Sequence, residues 1–182
     1  MTEEQSFIRP EEFWRTVGLR AEQTVVHFGA GAGFYLVPAA HIVGKNGKAI
    51  GIDVLPDMLA EAESRSKREN VDSIIQVIRA NLENPKGSSL PDNTADWVLL
   101  ANIIYQSDIA TLLREAMRVV AANGHIVIVG WDVVASPFGP PVSQRIPAEE
   151  ITRVASEVGL YIAKKFAPSP YHYALVLSKQ KS

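Results

Sequence analysis

The chain has 182 residues, no cysteine and a formal net charge of −2. That excludes a disulfide, a thiolate metal site and a cysteine nucleophile, and it supplies no global field for nucleic acid or an anionic membrane. No apolar run reaches the ~20 residues that span a bilayer. A 47% hydrophobic and 21% charged composition reads as one globular domain over residues 1–182 with a sizeable core.

Residues 1–9 read as a loose, polar and acidic terminus without a signal-peptide core, so a soluble, cytoplasmic protein is expected. Pro10-Glu11-Glu12 suits a helix N-terminus, and Gly18 suits its end. Phe13 and Trp14 fit plain packing against the rest of the fold, or a lid formed by residues 1–18 over a core of 20–178. Val25 and Val26 are β-branched and belong to a buried strand. Gly29, Gly31 and Gly33 then punctuate VVHFGAGAGFY, and Phe34 opens an apolar segment that reads as a helix to about Val43. Pro38 should bend that helix or delay its start. Lys48–Asp53 reads as a second strand, Pro56 to about Asn70 as an amphipathic helix, and Ser73–Arg79 as a third strand.

Residues 84–95 hold Asn-Pro, Gly-Ser-Ser and Pro-Asp-Asn, hence a loop. Asp96–Asn102 is a fourth strand, and Ser107 or Asp108 should cap the helix that carries Leu112, Leu113, Ala116 and Val119. Ala122-Asn123-Gly124 stops it, and His125–Trp131 is the fifth strand. Residues 132–147 hold four prolines and read as irregular. A helix from Ala148 to about Val158 precedes strands Tyr161–Phe166 and Tyr171–Leu177, joined by Ala-Pro-Ser-Pro and so antiparallel. The βαβα alternation argues an α/β fold with a parallel sheet.

Ligands of open α/β sheets bind at the carboxyl ends of the strands. The polar candidates fall there: the glycine turn, Asp53, Asn81, Asn102 and Asp132. A carboxylate can accept from both hydroxyls of a ribose, and an amide can read an adenine edge. Taken singly, Asp53 and Asn81 fit turn residues equally well, and a glycine turn can be tight with no ligand. The glycines miss the dinucleotide spacing, since the sixth position is Phe34 counted from Gly29 and Leu36 from Gly31. No Lys or Arg lies between Arg20 and Lys45 to hold a phosphate chain. The four histidines show no ligand spacing, so no metal is expected.

The G-x-G-x-G turn resembles motif I of the class I S-adenosylmethionine (SAM) methyltransferases. The segments LPDNTADWVLLANII and LLREAMRVVAANGHIVIVGW resemble the small-molecule enzymes of the ubiquinone/menaquinone-biosynthesis type, and IDVLPDML resembles their second-strand motif. The resemblance implies a Rossmann-like class I methyltransferase fold: a mostly parallel seven-stranded sheet, an antiparallel last strand and helices on both faces. It implies SAM as cofactor, methyl transfer to a small-molecule acceptor, and neither nucleic acid nor membrane as partner; it leaves room for a homodimer. By the same resemblance Gly29, Ala30, Gly31 and Gly33 face the methionine half of SAM, and Asp53 the ribose. Met58 lies along the adenine or packs in the core. Asn81 and Leu82 face adenine, and Ala101-Asn102 closes the pocket floor.

One position departs from the family. An acid normally stands two residues before the first glycine, and here it is His27. A neutral histidine can accept one hydrogen bond but brings no negative charge. The rival reading is therefore a non-catalytic SAM-binding module; a nucleotide-dependent oxidoreductase is disfavoured by the glycine spacing. A base is needed only for a protonated nucleophile. Tyr105, Asp132, Tyr171 and His172 are the candidates, although His172 also reads as an ordinary strand or loop histidine.

Overall fold

The computed structural model describes residues 8–179. Five helices and seven strands alternate as α1 (Pro10–Val17), β1 (Thr24–Phe28), α2 (Leu36–Val43), β2 (Lys48–Asp53), α3 (Pro56–Arg68), β3 (Ile75–Arg79), β4 (Ala95–Ala101), α4 (Ile109–Val119), β5 (Val120–Trp131), α5 (Ala148–Glu157), β6 (Tyr161–Ser169) and β7 (His172–Ser178). The strands form one sheet in the order β3-β2-β1-β4-β5-β7-β6. Pairing is parallel from β3 to β5, and β7 runs antiparallel between β5 and β6. This is the Rossmann-like class I arrangement with helices on both faces.

Alternation along the strands builds two cores. Val26, Phe28, Ile50, Ile52, Val98, Leu100, Ile126 and Ile128 point to one face, where α4 and α5 add Leu112, Leu113, Ala116, Ile151 and Ala155. Val25, Leu99, Val127 and Val129 point to the other, where α1 and α2 add Phe13, Trp14, Tyr35, Ala39 and Val43. Each fully buried aliphatic side chain contributes roughly 1.5–3 kcal/mol relative to exposure.

Local chemistry moves several boundaries. Pro38 delays α2, which starts at Leu36 so that the proline falls in its first turn, where no amide is required. β5 begins at Val120, directly after α4, and the expected Ala122–Gly124 stop lies in an irregularity between the Ala95 and Trp97 pairings. β6 runs on through Pro168 to Ser169, three residues beyond the expected end. An edge strand tolerates a proline, and the β6–β7 register shifts there.

Phe13 and Trp14 are buried. The Trp14 indole N–H donates to the Tyr35 carbonyl at 2.9 Å, and the Phe13 ring stands edge-on to both Trp14 and Tyr35 at 5.3 Å. α1 is thus packed onto the glycine-turn side of the sheet. The expected lid also includes residues 1–7, which lie outside the described residues. Among the described residues no helix is long and apolar enough to cross a membrane.

Candidate functional site

The strand order reverses between β1 and β4, and the glycine turn sits at that point, after the last residue of β1. The amides of Gly29 and Ala30 both donate to the Ile52 carbonyl, at 2.8 and 2.9 Å. Gly29 takes φ +73°, and a Cβ there would stand 2.3 Å from Ile103 Cγ2. Gly31 takes φ +51° and faces open space, with nothing within 4 Å of such a Cβ. Only glycine meets both demands without strain.

Asp53, the last residue of β2, pins this turn. Its Oδ2 accepts from the Gly31 amide at 2.9 Å and its Oδ1 from the Leu55 amide at 3.0 Å. Each oxygen keeps a second lone-pair direction. Asp53 borders a cavity of about 360 Å³ with Gly29, Leu55, Asn81, Leu82 and Ile103. Asn81 Oδ1 accepts from the Glu83 amide at 2.9 Å, which leaves the side-chain Nδ2 as a donor for a ligand.

The remaining residues named for the cofactor, His27, Ala30, Gly31, Gly33, Met58, Ala101 and Asn102, are not among those lining this cavity. Met58 is 37% exposed on the first turn of α3 and does not line it. Ala101 ends β4 and is buried. Asn102 follows with φ +57°, its amide donating to the Val129 carbonyl at 2.9 Å, while its Oδ1 is buried without a partner. His27 is 3% exposed, and neither ring nitrogen has a partner. Its ring stands edge-on to Tyr35 at 5.7 Å. Burial pushes its pKa down to about 3, against a smaller upward pull from Asp53. The imidazole is therefore neutral.

Of the candidate bases, three gather at the β5–β7 end. The Asp132 amide donates to the Tyr171 carbonyl at 2.8 Å, and the His172 ring lies 4.0 Å from Trp131. His172 Nδ1 and Ser169 Oγ share a hydrogen bond of 2.7 Å. Burial, helped by the Arg145 charge, pushes the His172 pKa down to about 4. Tyr105 stands apart, in the short 3-10 turn after β4. Among the described residues no three His, Asp or Glu side chains converge to hold a metal ion.

Sequence reasoning missed two arginines. Arg145 is 7% exposed and donates to the carbonyls of Asp132, Val134, Phe138 and Pro140 and to Ser136 Oγ. The segment after β5 is wrapped round it. Arg118 binds Glu115, Asp92, Ser88 Oγ and the Leu90 carbonyl, and so holds the loop before β4 against α4. No local motif announces either residue. Ile103, which closes on Gly29, follows Asn102 directly and was within reach of a strand-end reading.

A family model described as "Methyltransferase domain" matches residues 26–128. The chain is 27% identical over 128 residues to the ubiquinone/menaquinone biosynthesis C-methyltransferase UbiE of Hahella chejuensis, covering 70% of this chain and 49% of that protein. It is 32% identical over 99 residues to the demethylmenaquinone methyltransferase of Bacillus licheniformis, covering 53% and 40%. The chain thus spans about half the length, or less, of these curated relatives. A SAM-dependent methyltransferase from Aquifex aeolicus superposes with a TM-score of 0.87 at 24% identity, covering 97% of this chain and 93% of that one. Geranyl diphosphate C-methyltransferase from Streptomyces coelicolor A3(2), in complex with Mg2+, geranyl diphosphate and S-adenosyl-L-homocysteine, superposes at 0.74 with 14% identity, covering 93% and 79%. These two structural likenesses are of fold.

Proposed function

The chain belongs to the methyltransferase-domain family, and from that membership we propose that it transfers a methyl group from SAM to a small molecule. The observation that carries this reading is the glycine turn pinned by Asp53 and opening on a cavity of about 360 Å³ where the strand order reverses. The donor set suits SAM. Gly31 leaves room for close backbone approach, and no Lys or Arg side chain is among the residues lining the cavity. His27 and Asn102 keep buried polar atoms in need of partners near the turn.

In this reading Asp53 accepts from the ribose hydroxyls, and Asn81 and Leu82 hold adenine. His27, Asn102, Ala101 and the turn of Gly29, Ala30, Gly31 and Gly33 face the amino-acid end, with Gly31 giving it space, and Met58 covers the adenine side from outside. SAM supplies an activated methyl group on a sulfonium. The protein's task is to position the acceptor in line with it and to exclude water. The Arg145-held segment 132–145 and the β6–β7 turn border the open side of the sheet end, where an acceptor would enter. For a protonated nucleophile, Tyr105, Asp132 and His172 are the available bases. His172 is a weak base here, since a ring with a pKa near 4 takes a proton reluctantly. We assign no nucleic-acid role, and a cytoplasmic small-molecule enzyme, alone or as a homodimer, fits the reading.

SAM and S-adenosylhomocysteine should each raise the melting temperature, while NAD and ATP should not. At 100 times the dissociation constant the gain is about 2.7 kcal/mol. No shift with either sulfur ligand at millimolar concentration would remove the cofactor assignment. Labelled methyl transfer to a metabolite panel then tests catalysis, and binding without transfer returns the non-catalytic reading.

A further inference from the structure

A second cavity lies at the opposite end of the sheet. Helix α1 is only eight residues long and ends at Gly18. Beside its end, over the amino ends of β4 and β5, a groove of about 410 Å³ opens. Its floor is Trp97, His125 and Val176. Trp97 and His125 are direct neighbours in the β4–β5 register. Their rings stack, with centroids 5.0 Å apart and an interplanar angle of 23°. The Trp97 indole N–H is held by Gln23 Oε1 at 3.2 Å, and the residue is only 6% exposed. Partial burial pushes the His125 pKa below its ordinary value, so the ring offers a neutral aromatic face.

The walls carry charge. Arg20, after α1, stands on one side and Lys164 of β6 on the other. Lys164 Nζ donates to the Thr16 carbonyl at 2.8 Å, which ties β6 to α1 across the groove. Neither cation is in an ion pair with a carboxylate among the described residues, whereas Lys165, next on the same strand, pairs with Glu149. The lining's one carboxylate, Asp96, already accepts from the Thr24 amide at 2.7 Å through Oδ2. Two cations against one carboxylate leave the groove net positive.

We propose that this groove is a second small-molecule site, which takes a planar aromatic ring carrying one anionic group. The ring extends the Trp97–His125 stack on the face of the half-buried His125 turned away from Trp97, where offset stacking is favourable, and the anion sits toward Arg20 and Lys164. The groove's size is within the range of small-molecule pockets. β4 separates it from the cofactor cavity by seven residues, or roughly 20 Å at 3.3 Å per residue. The two cavities share no lining residue. A ligand here therefore binds independently of a ligand at the glycine turn.

The probe is 2-naphthoate, followed through the indole N–H resonance of Trp97 in the full chain. The expected result is a saturable shift below millimolar probe that S-adenosylhomocysteine does not reverse. The neutral isostere 2-naphthamide should bind about fivefold or more weakly, as should 2-naphthoate to the Arg20→Gln/Lys164→Gln double variant. Arg15→Gln, on α1 outside the groove, should bind as the parent does. Absence of saturation at millimolar 2-naphthoate overturns the proposal. So does equal affinity for the amide, which is read on the unaltered protein and does not depend on how the variants fold. Displacement by S-adenosylhomocysteine would put the probe in the other cavity and equally overturns it.

Discussion

Asp53 has two tasks that separate by mutation. It holds the turn through the Gly31 and Leu55 amides, and in the proposed function it accepts from ribose. Charge-assisted hydrogen bonds are worth roughly 1.5–3 kcal/mol each. Asp53→Ala should therefore weaken S-adenosylhomocysteine binding by about tenfold or more. Asp57 stands in the first turn of α3, where its charge favours the helix N-terminus. Asp57→Ala should change affinity by less than about twofold and cost only about 0.5 kcal/mol of stability. Calorimetric titration of both variants decides it, and equal losses would remove Asp53 from the ligand. At this scale the site was legible where it rests on short spacings. The glycines and the acid closing the next strand are readable because backbone close approach and a strand-end carboxylate each leave a local trace. Arg145 and Arg118 left none. Their partners are largely main-chain carbonyls and side chains of loops that the fold brings to them, and any residue type supplies a carbonyl. The buried neutrality of His27 was also hidden, since it depends on Tyr35 and the neighbouring strands closing over the ring.

The loop before β4 and the segment after β5 are each fixed by one arginine, in different ways. Arg118 neutralises Glu115, a carboxylate only 6% exposed that also accepts from the Ser88 amide and hydroxyl. These partners hold the Glu115 pKa below the usual carboxylate value against the upward push of burial, the largest single influence. Arg118→Met strands that charge, and removing one partner of a buried pair costs about 3 kcal/mol. Arg145 has no carboxylate partner in its set of acceptors, and all five of its N–H groups are used on neutral oxygens. Arg145→Met leaves no buried charge behind, so its effect should stay local. Urea unfolding should show a large loss for Arg118→Met and a small one for Arg145→Met. Limited proteolysis should show the reverse order, with new cleavage within residues 132–145 for Arg145→Met. Equal global losses would mean that the Arg145 segment is part of the cooperative core. Helices and strands themselves were largely readable from period and caps. The misplaced ends were those decided by tertiary pairing: β5 reaches back to Val120 because Ala95 pairs with it, and β6 continues past Phe166 because Ser169 pairs with His172.

Across the whole molecule, the βαβα alternation sufficed for a parallel α/β sheet, and the short link between the last strands for their antiparallel pairing. The order of strands was not legible, because alternation does not say which neighbour a strand takes. The finished sheet has a further consequence that spacing could not foretell: it buries His27 and His172 and partly buries His125. His27 of β1 is pushed down to about 3, His172 of β7 to about 4, and His125 of β5 below its ordinary 6.5. In each case burial disfavours the charged ring, so the unfolded chain binds protons that the folded one refuses. Stability is then fully present above pH 6.5 and is lost as pH falls toward the folded values, by up to about 1.4 kcal/mol per pH unit for each fully buried ring. The paired carboxylates act in the same direction at lower pH, since Glu69 and Glu115 are also held below their ordinary value. The melting temperature should therefore fall steadily from pH 7 to pH 4.5, although the chain carries a formal charge of only −2 at pH 7. His27 is the most deeply buried of the three rings and lacks any partner to lose. His27→Phe keeps an aromatic ring beside Tyr35 and removes two unpaired polar atoms. That variant should match or exceed the parent at pH 4.5 and show a shallower decline between the two pH values. Thermal melts of both proteins across that window measure it. Parallel declines would mean that the His27 ring finds a proton-stabilising partner in the folded state, against the burial seen here.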